Sequence, residues 1–280
     1  MTGIINEAEH REGIIALWQE AFGDEREYIE FFLDGCTDKV CIGATEKGKL
    51  VSFLFLLNGS VCKLSCKYIY AACTLKEYRG RGIMSKLISF AKGYCRDNGV
   101  DLIFLVPGEE SLYSYYEKFG FVTKMMRAQM CFAAGGETEL FDRCTDVSEI
   151  SRRRVELLSR LDSFTFDVGT TEYVVREFMS DGGEVYSSDG ENGFLAFSYK
   201  KDENLFFKEF LAEKDTFFTD NSNLFKKLKA ENVYIHSPLV YNSTDIGVKA
   251  TKCGMLFPVT AKAEAFINSK EFFYAGMYLD

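Results

Sequence analysis

Tyr78-Arg79-Gly80-Arg81-Gly82-Ile83-Met84-Ser85-Lys86-Leu87 decides how this chain is read. Just before it, residues 63–75 are rich in Tyr, Ile and Cys and predict a strand. Just after it the pattern turns helical. Ile83, Leu87, Ala91, Tyr94 and Cys95 recur at spacings of three and four and share one face. The stretch is therefore a strand-to-helix connection with two glycines in it. Glycine lets backbone approach a ligand closely and adopt torsions other residues avoid. The free amides that open a helix attract an anion. Arg79, Arg81 and Lys86 add positive charge in a chain of formal net charge −9. Together these features describe a diphosphate cradle.

Two familiar cradles do not fit. A P-loop needs Gly-Lys followed by Ser or Thr, and none is present. A dinucleotide fingerprint needs a third glycine where Ser85 stands, and it follows an opening parallel strand. Here several hairpin-like strands come first. Residues 39–45 and 50–57 flank Glu46-Lys47-Gly48-Lys49, a short connection of hairpin type, and Asn58-Gly59 predicts a second turn.

Outward from the cradle the order of elements continues. Residues 6–22 read as an amphipathic helix, not a signal peptide. Asn98-Gly99 ends the helix that starts at Ile83, with Gly99 suited to a left-handed cap. A short strand over 100–106, a helix over 109–118 closed by Gly120, and a strand over 121–132 follow. The Gly-rich run 133–138 marks a boundary, giving domains 1–134 and 135–280, and a helix over 147–161 comes next.

The second half echoes the first. At an offset of 172 − 27 = 145, Glu27, Tyr28, Val40, Glu46, Gly48 and Leu50 match Glu172, Tyr173, Val185, Glu191, Gly193 and Leu195. A hairpin, a strand over 205–211, a helix over 224–230 and a strand over 233–236 follow in the same order. Residues 252–256 echo 118–122 at an offset of 254 − 120 = 134, so the second copy is shorter and lacks an Arg-x-x-Gly-x-Gly stretch.

Arg79-x-x-Gly82-x-Met84 is similar to the Arg/Gln-x-x-Gly-x-Gly/Ala signature of the GNAT acyltransferase superfamily, and Tyr116-Glu117-Lys118-Phe119-Gly120-Phe121 resembles its Tyr-x-x-x-Gly-Phe block. Order and spacing cover about residues 24–122. Met84 departs from the usual small residue, and Gly-Ile-Met-Ser-Lys-Leu resembles the tandem-GNAT branch, including enhanced-intracellular-survival-type acetyltransferases. Those relatives often carry a third, sterol-carrier-like domain, for which 280 residues leave no room. The resemblance implies an α/β fold of two tandem GNAT-like domains. Each would be a mixed, mostly antiparallel sheet flanked by helices, the second degenerate.

It also implies roles. Amides of Gly80, Arg81, Gly82, Ile83, Met84 and Ser85 would bind the CoA pyrophosphate beside Arg79. The strand Ala72-Cys73-Thr74 would pair with pantetheine, and the amide of Cys73 or Thr74 would polarise the thioester carbonyl. Acetyl-CoA is the expected co-substrate and a primary amine, small or peptidic, the acceptor. Tyr116 would protonate the leaving thiolate. The alternatives are a CoA-binding regulatory module without turnover, or an aminoacyl or long-acyl transferase.

The remaining composition sets bounds. Nine cysteines with no Cys-x-x-Cys, and two histidines, His10 and His236, give no metal set and point to reduced thiols. Cys73 has no histidine beside it to make it a nucleophile. The longest apolar run is far short of the ~20 residues that span a bilayer, so a cytoplasmic protein is expected. The acidic balance disfavours nucleic acid as a partner and suits a cationic amine. Glu77, Glu109 and Glu110 are candidate bases, none singled out. His236 reads as a hydrogen-bonded structural residue. Phe206, Phe207, Phe210, Phe217 and Phe218 read as core, or as a wall for an acceptor with an apolar part.

Overall fold

The computed structural model describes residues 1–137, 143–241 and 247–279. It divides into two compact units, each drawing on both halves of the chain. The first is Met1–Thr123 with Met255–Lys270, and the second is Lys124–Gly254 with Glu271–Asp280.

In the first unit, β1 (Thr2–Ile4) leads to α1 (Glu7–Phe22) and α2 (Arg26–Gly35). The Asn6 side chain caps α1 by accepting from the Ala8 amide at 3.0 Å, and Gly23, at φ 79°, ends it by donating to the Gln19 carbonyl. Strands β2 (Lys39–Glu46), β3 (Lys49–Val61) and β4 (Leu64–Thr74) follow as antiparallel neighbours. The central part of β3, 50–57, is buried on both faces, so its apolar run has no polar alternation. Asn58-Gly59 does not turn. Those residues pair with Lys67 and Cys66, the Asn58 side chain accepts from the Lys67 ammonium, and the reversal comes at Cys62, φ 54°. Trp18 packs at 5.3 Å from Phe32 and 5.5 Å from Tyr70, joining the first helices to the sheet.

Helix α3 (Ile83–Asp97) buries Leu87, Ile88, Ala91 and Cys95, with Ile83 and Tyr94 half-buried, and Gly99 sits at φ 66° beyond its end. Strand β5 (Leu102–Leu105) runs parallel to β4, and α4 (Glu110–Glu117) follows. The sheet order is β1-β2-β3-β4-β5. Its last strand comes from far along the chain: Met255–Pro258 pair antiparallel with β5, and a helix, Ala261–Asn268, ends this returning segment.

The second unit contains most of β6 (Val122–Ala133), then α5 (Val147–Ser159), a short strand β7 (Phe164–Phe166), α6 (Val168–Ser180), β8 (Glu184–Ser188), β9 (Phe194–Lys201) and β10 (Asn204–Ala212). Two short helices, α7 (Phe217–Asp220) and α8 (Ser222–Lys226), precede β11 (Asn232–Ser237) and β12 (Lys249–Pro258). The helix expected over 224–230 is therefore earlier and shorter, anchored by buried Phe225. The sheet order is β6-β11-β10-β9-β8.

The duplication is visible in the pairings. β8, β9 and β10 are antiparallel neighbours and β11 is parallel to β10, as β2, β3, β4 and β5 are. Each sheet is then completed by an antiparallel strand from the other half of the chain: 255–258 beside β5, and β6 beside β11. Phe207, Phe210, Phe217 and Phe218 join Phe225 in the second unit's core, whereas Phe206 lies outside it. The echo at 252–256 is not local: Gly120 closes a helical turn at φ 81°, but Gly254 lies inside β12. Among the described residues no helix is long and apolar enough to cross a membrane.

Candidate active site

The site starts from an irregularity in β4. Tyr70 faces Phe55 and Cys73 faces Phe53, so Ala71 and Ala72 share one opposite residue, Leu54. The extra residue is a β-bulge, and Ala71 takes φ 49°. Beyond it, the Leu75 amide donates to the Val51 carbonyl at 3.0 Å. Strand alternation then turns the Cys73 amide toward β3 and the Thr74 amide toward the other edge. On that edge the parallel ladder with β5 stops at Ile69–Leu105. β4 runs on to Thr74 past the end of β5, leaving a backbone edge that can pair with an extended ligand.

The chain leaves β4 through one helical turn, Lys76–Tyr78, and enters α3 through Gly80 at φ 76° and Gly82 at φ 72°. Gly82 is the residue before the helix and offers no side-chain cap. Among the described residues no hydrogen bond takes the amides of Gly80, Arg81, Gly82, Ile83, Met84 or Ser85; the first helical bond runs from the Lys86 amide to the Gly82 carbonyl. The arginines brace the loop. Arg79 Nε donates to the Thr74 carbonyl at 3.0 Å, and Arg81 Nη2 to the Glu77 carbonyl at 2.8 Å, with its guanidinium 4.8 Å from the Tyr78 ring centre.

A cavity of about 350 Å³ lies against this loop. Thr74, Arg79, Gly80, Gly82, Ile83, Met84 and Ser85 line it, together with Tyr78 and Tyr115. Ala72, Cys73, Arg81 and Tyr116 are not among its lining residues. Tyr115 was not singled out by the sequence. Its signal is faint: one tyrosine among three in α4, adjacent to the one the motif names.

Tyr116 is buried in the last turn of α4, its ring edge-on to Phe121 at 5.8 Å and to Tyr115 at 5.3 Å. Burial, with a smaller effect from Tyr115, pushes its phenol up to about 12. The Gly-Phe that follows has a structural reason. Gly120 takes φ 81°, a Cβ there would meet the Phe257 ring at 3.3 Å, and Phe121 packs on the same ring at 5.5 Å. Cys73 is buried and its thiol is raised well above the usual range, chiefly by burial, so it stays protonated. The Glu77 carboxylate is lowered, chiefly by its bond to Lys49 at 3.2 Å, which makes it a weaker base.

The second unit repeats the bulge but not the opening. Ser198 faces Phe207 and Phe197 faces Glu209, so Lys208 and Glu209 stand where Ala71 and Ala72 stand in the first sheet. The offset there, 209 − 72 = 137, lies between the two offsets seen in the sequence. Glu209 is fully buried and paired with buried Arg154, Nε to Oε2 at 2.6 Å. Glu209 Oε1 also accepts from the Tyr274 hydroxyl and the Met277 amide, both at 3.2 Å, and Arg154 donates to the Met277 carbonyl. The C-terminal segment thus sits against the second bulge, and Glu213-Lys214-Asp215, not a glycine loop, follows β10.

Residues 5–123 match the family model described as an acetyltransferase (GNAT) domain. This match takes in the glycine loop, α3 and α4 of the candidate site and spans less than half of the chain. No curated protein matches the sequence. Among solved structures, the fold is similar to that of a GCN5-related N-acetyltransferase from Anabaena variabilis, at 13% identity and a TM-score of 0.69, covering 94% of this chain and 74% of that one. Eis1 from Mycobacterium abscessus gives 12% identity and 0.68, over 94% and 75%. A GCN5-related N-acetyltransferase from Kribbella flavida gives 17% and 0.63, over 94% and 73%. At these identities the likeness concerns the fold alone, and it takes in both units.

Proposed function

We propose that the chain is a GNAT enzyme, that it transfers an acetyl group from acetyl-CoA to a primary amine by direct attack, and that each chain binds one CoA. The observation that carries the reading is the run of six unbonded amides from Gly80 to Ser85, opened by two left-handed glycines and bordering the cavity. These amides would hold the pyrophosphate. The edge of β4 over Ala72–Thr74 that β5 leaves uncovered would pair with pantetheine. Of the two amides considered for the thioester carbonyl, that of Thr74 is the one directed to the open edge. It would stabilise the oxygen as negative charge develops on it.

The neutral amine would attack the carbonyl carbon, the tetrahedral intermediate would collapse with loss of the CoA thiolate, Tyr116 would give its proton to the sulfur, and the proton shed by the nitrogen as the amide forms would return through solvent to the phenolate. A phenol held protonated up to about pH 12 is suited to donating, not accepting, a proton. A cytoplasmic location and a duplication divided at 134/135 belong to the same proposal.

The test is to incubate the protein with acetyl-CoA and a panel of small amines and peptides and to follow free thiol. Amine-dependent thiol release supports the reading. Binding of CoA with no release for any amine would instead indicate a regulatory module without turnover.

A further inference from the structure

A second cavity, of about 490 Å³, lies wholly among residues of the second unit. Tyr199, Phe206 and Tyr234 stand side by side on β9, β10 and β11 and form part of its wall. Their rings are stacked nearly parallel: 5.2 Å and 7° between Tyr199 and Phe206, 4.7 Å and 9° between Phe206 and Tyr234. The register shows what this ladder replaces. Counting from the bulge, the same positions in the first sheet are Leu56, Ile69 and Leu105, which are buried aliphatics paired in the same way. In the second sheet Phe206 and Tyr234 are half-buried and Tyr199 is exposed. They lie off the core cluster, which takes the alternate residues Leu205, Phe207, Val233 and Ile235. Core packing therefore does not account for them.

The polar lining has its own bias. Arg127, Lys200, Lys208 and His236 border the cavity. Arg127 is anchored by one bond from Nη1 to the Tyr278 hydroxyl at 3.3 Å, and its Nε is buried with no hydrogen-bond partner among the described residues. Two acids, Asp181 and Glu184, also border the space, and Glu184 is already engaged by Arg143 and Tyr186. A flat ring can extend an aromatic ladder. A guanidinium with donors unused is suited to a carboxylate. The volume falls in the range of small-ligand sites.

We propose that the second unit binds a planar organic anion here, an aromatic ring stacked on the Tyr199–Phe206–Tyr234 ladder with its carboxylate on Arg127. The inference is independent of the reading of the first unit. Calorimetry with naphthalene-2-carboxylate as probe tests it. One saturable site per chain is expected, with cyclohexanecarboxylate and naphthalene-2-carboxamide at least about tenfold weaker, since each lacks one of the two recognised features. Arg127→Gln and Tyr234→Leu should each weaken the probe about tenfold while CoA affinity stays that of the parent protein. The comparison of the three probes on the parent protein stands even if a variant fails to fold. Absence of saturable binding, equal affinity for all three probes, equal affinity in a folded Arg127→Gln protein, or displacement of the probe by CoA would overturn the proposal.

Discussion

Tyr116 carries the most specific claim at the scale of single residues. Tyr116→Phe should lower kcat by about 10²-fold or more with little change in CoA affinity, because a proton donor acts in the transition state and not in binding. Unchanged turnover would remove it from the mechanism. Its ionisation gives a second check. The phenol, ordinarily near 10.0, is raised to about 12, so it stays a donor through the alkaline range. The alkaline fall in kcat should lie above pH ~10, and any rise at lower pH belongs to the amine or its base. A fall centred below pH 10 would contradict the assignment. The same shift contributes stability that is full below the unfolded value near 10 and is lost as pH rises toward 12. Gly82 gives a third. A Cβ there meets nothing within 4 Å, so the chain should fold, but φ 72° costs a non-glycine about 1–2 kcal/mol. Gly82→Ala should weaken CoA about tenfold by disturbing the amide cradle, read by calorimetry.

At the scale of elements, the two bulges show how one fold gives an open edge and a closed one. In β4 small Ala72 leaves the edge clear; in β10 the corresponding Glu209 binds Arg154 and the C-terminal segment. Removing one partner of a buried pair leaves an uncompensated charge. Arg154→Met should therefore cost about 3–5 kcal/mol in denaturant unfolding, and Arg154→Met with Glu209→Leu should recover much of it. If the single variant is as stable as the parent, the pair does not hold that segment. Much of the first unit's element order was legible in the sequence, because glycines and apolar periodicity punctuate it: Gly23, Gly99 and Gly120 end helices as local chemistry requires. The two-glycine connection between β4 and α3 was legible for the same reason. The turn placed at Asn58-Gly59 was wrong because pairing along a long strand overrode a local turn preference. The bulge in β4 was invisible, since Ala71 at φ 49° carries no residue signal. Tyr115 was hidden by its neighbour Tyr116, and which of the two lines the cavity depends on how the helix is rotated against the loop.

At the scale of the molecule, the faint repeat proved to be a repeated sheet, and what it could not reveal was the exchange of last strands. Residues 255–258 complete the first sheet and β6 the second, pairings set by long-range register and not by any local pattern. One CoA cradle per chain, in the first unit, is the central proposal. Titration of the intact protein with CoA in a calorimeter tests that most directly. One CoA per chain is predicted, with affinity falling about tenfold in Gly82→Ala. Two CoA per chain, no binding, or the same affinity in the Gly82 variant would contradict it.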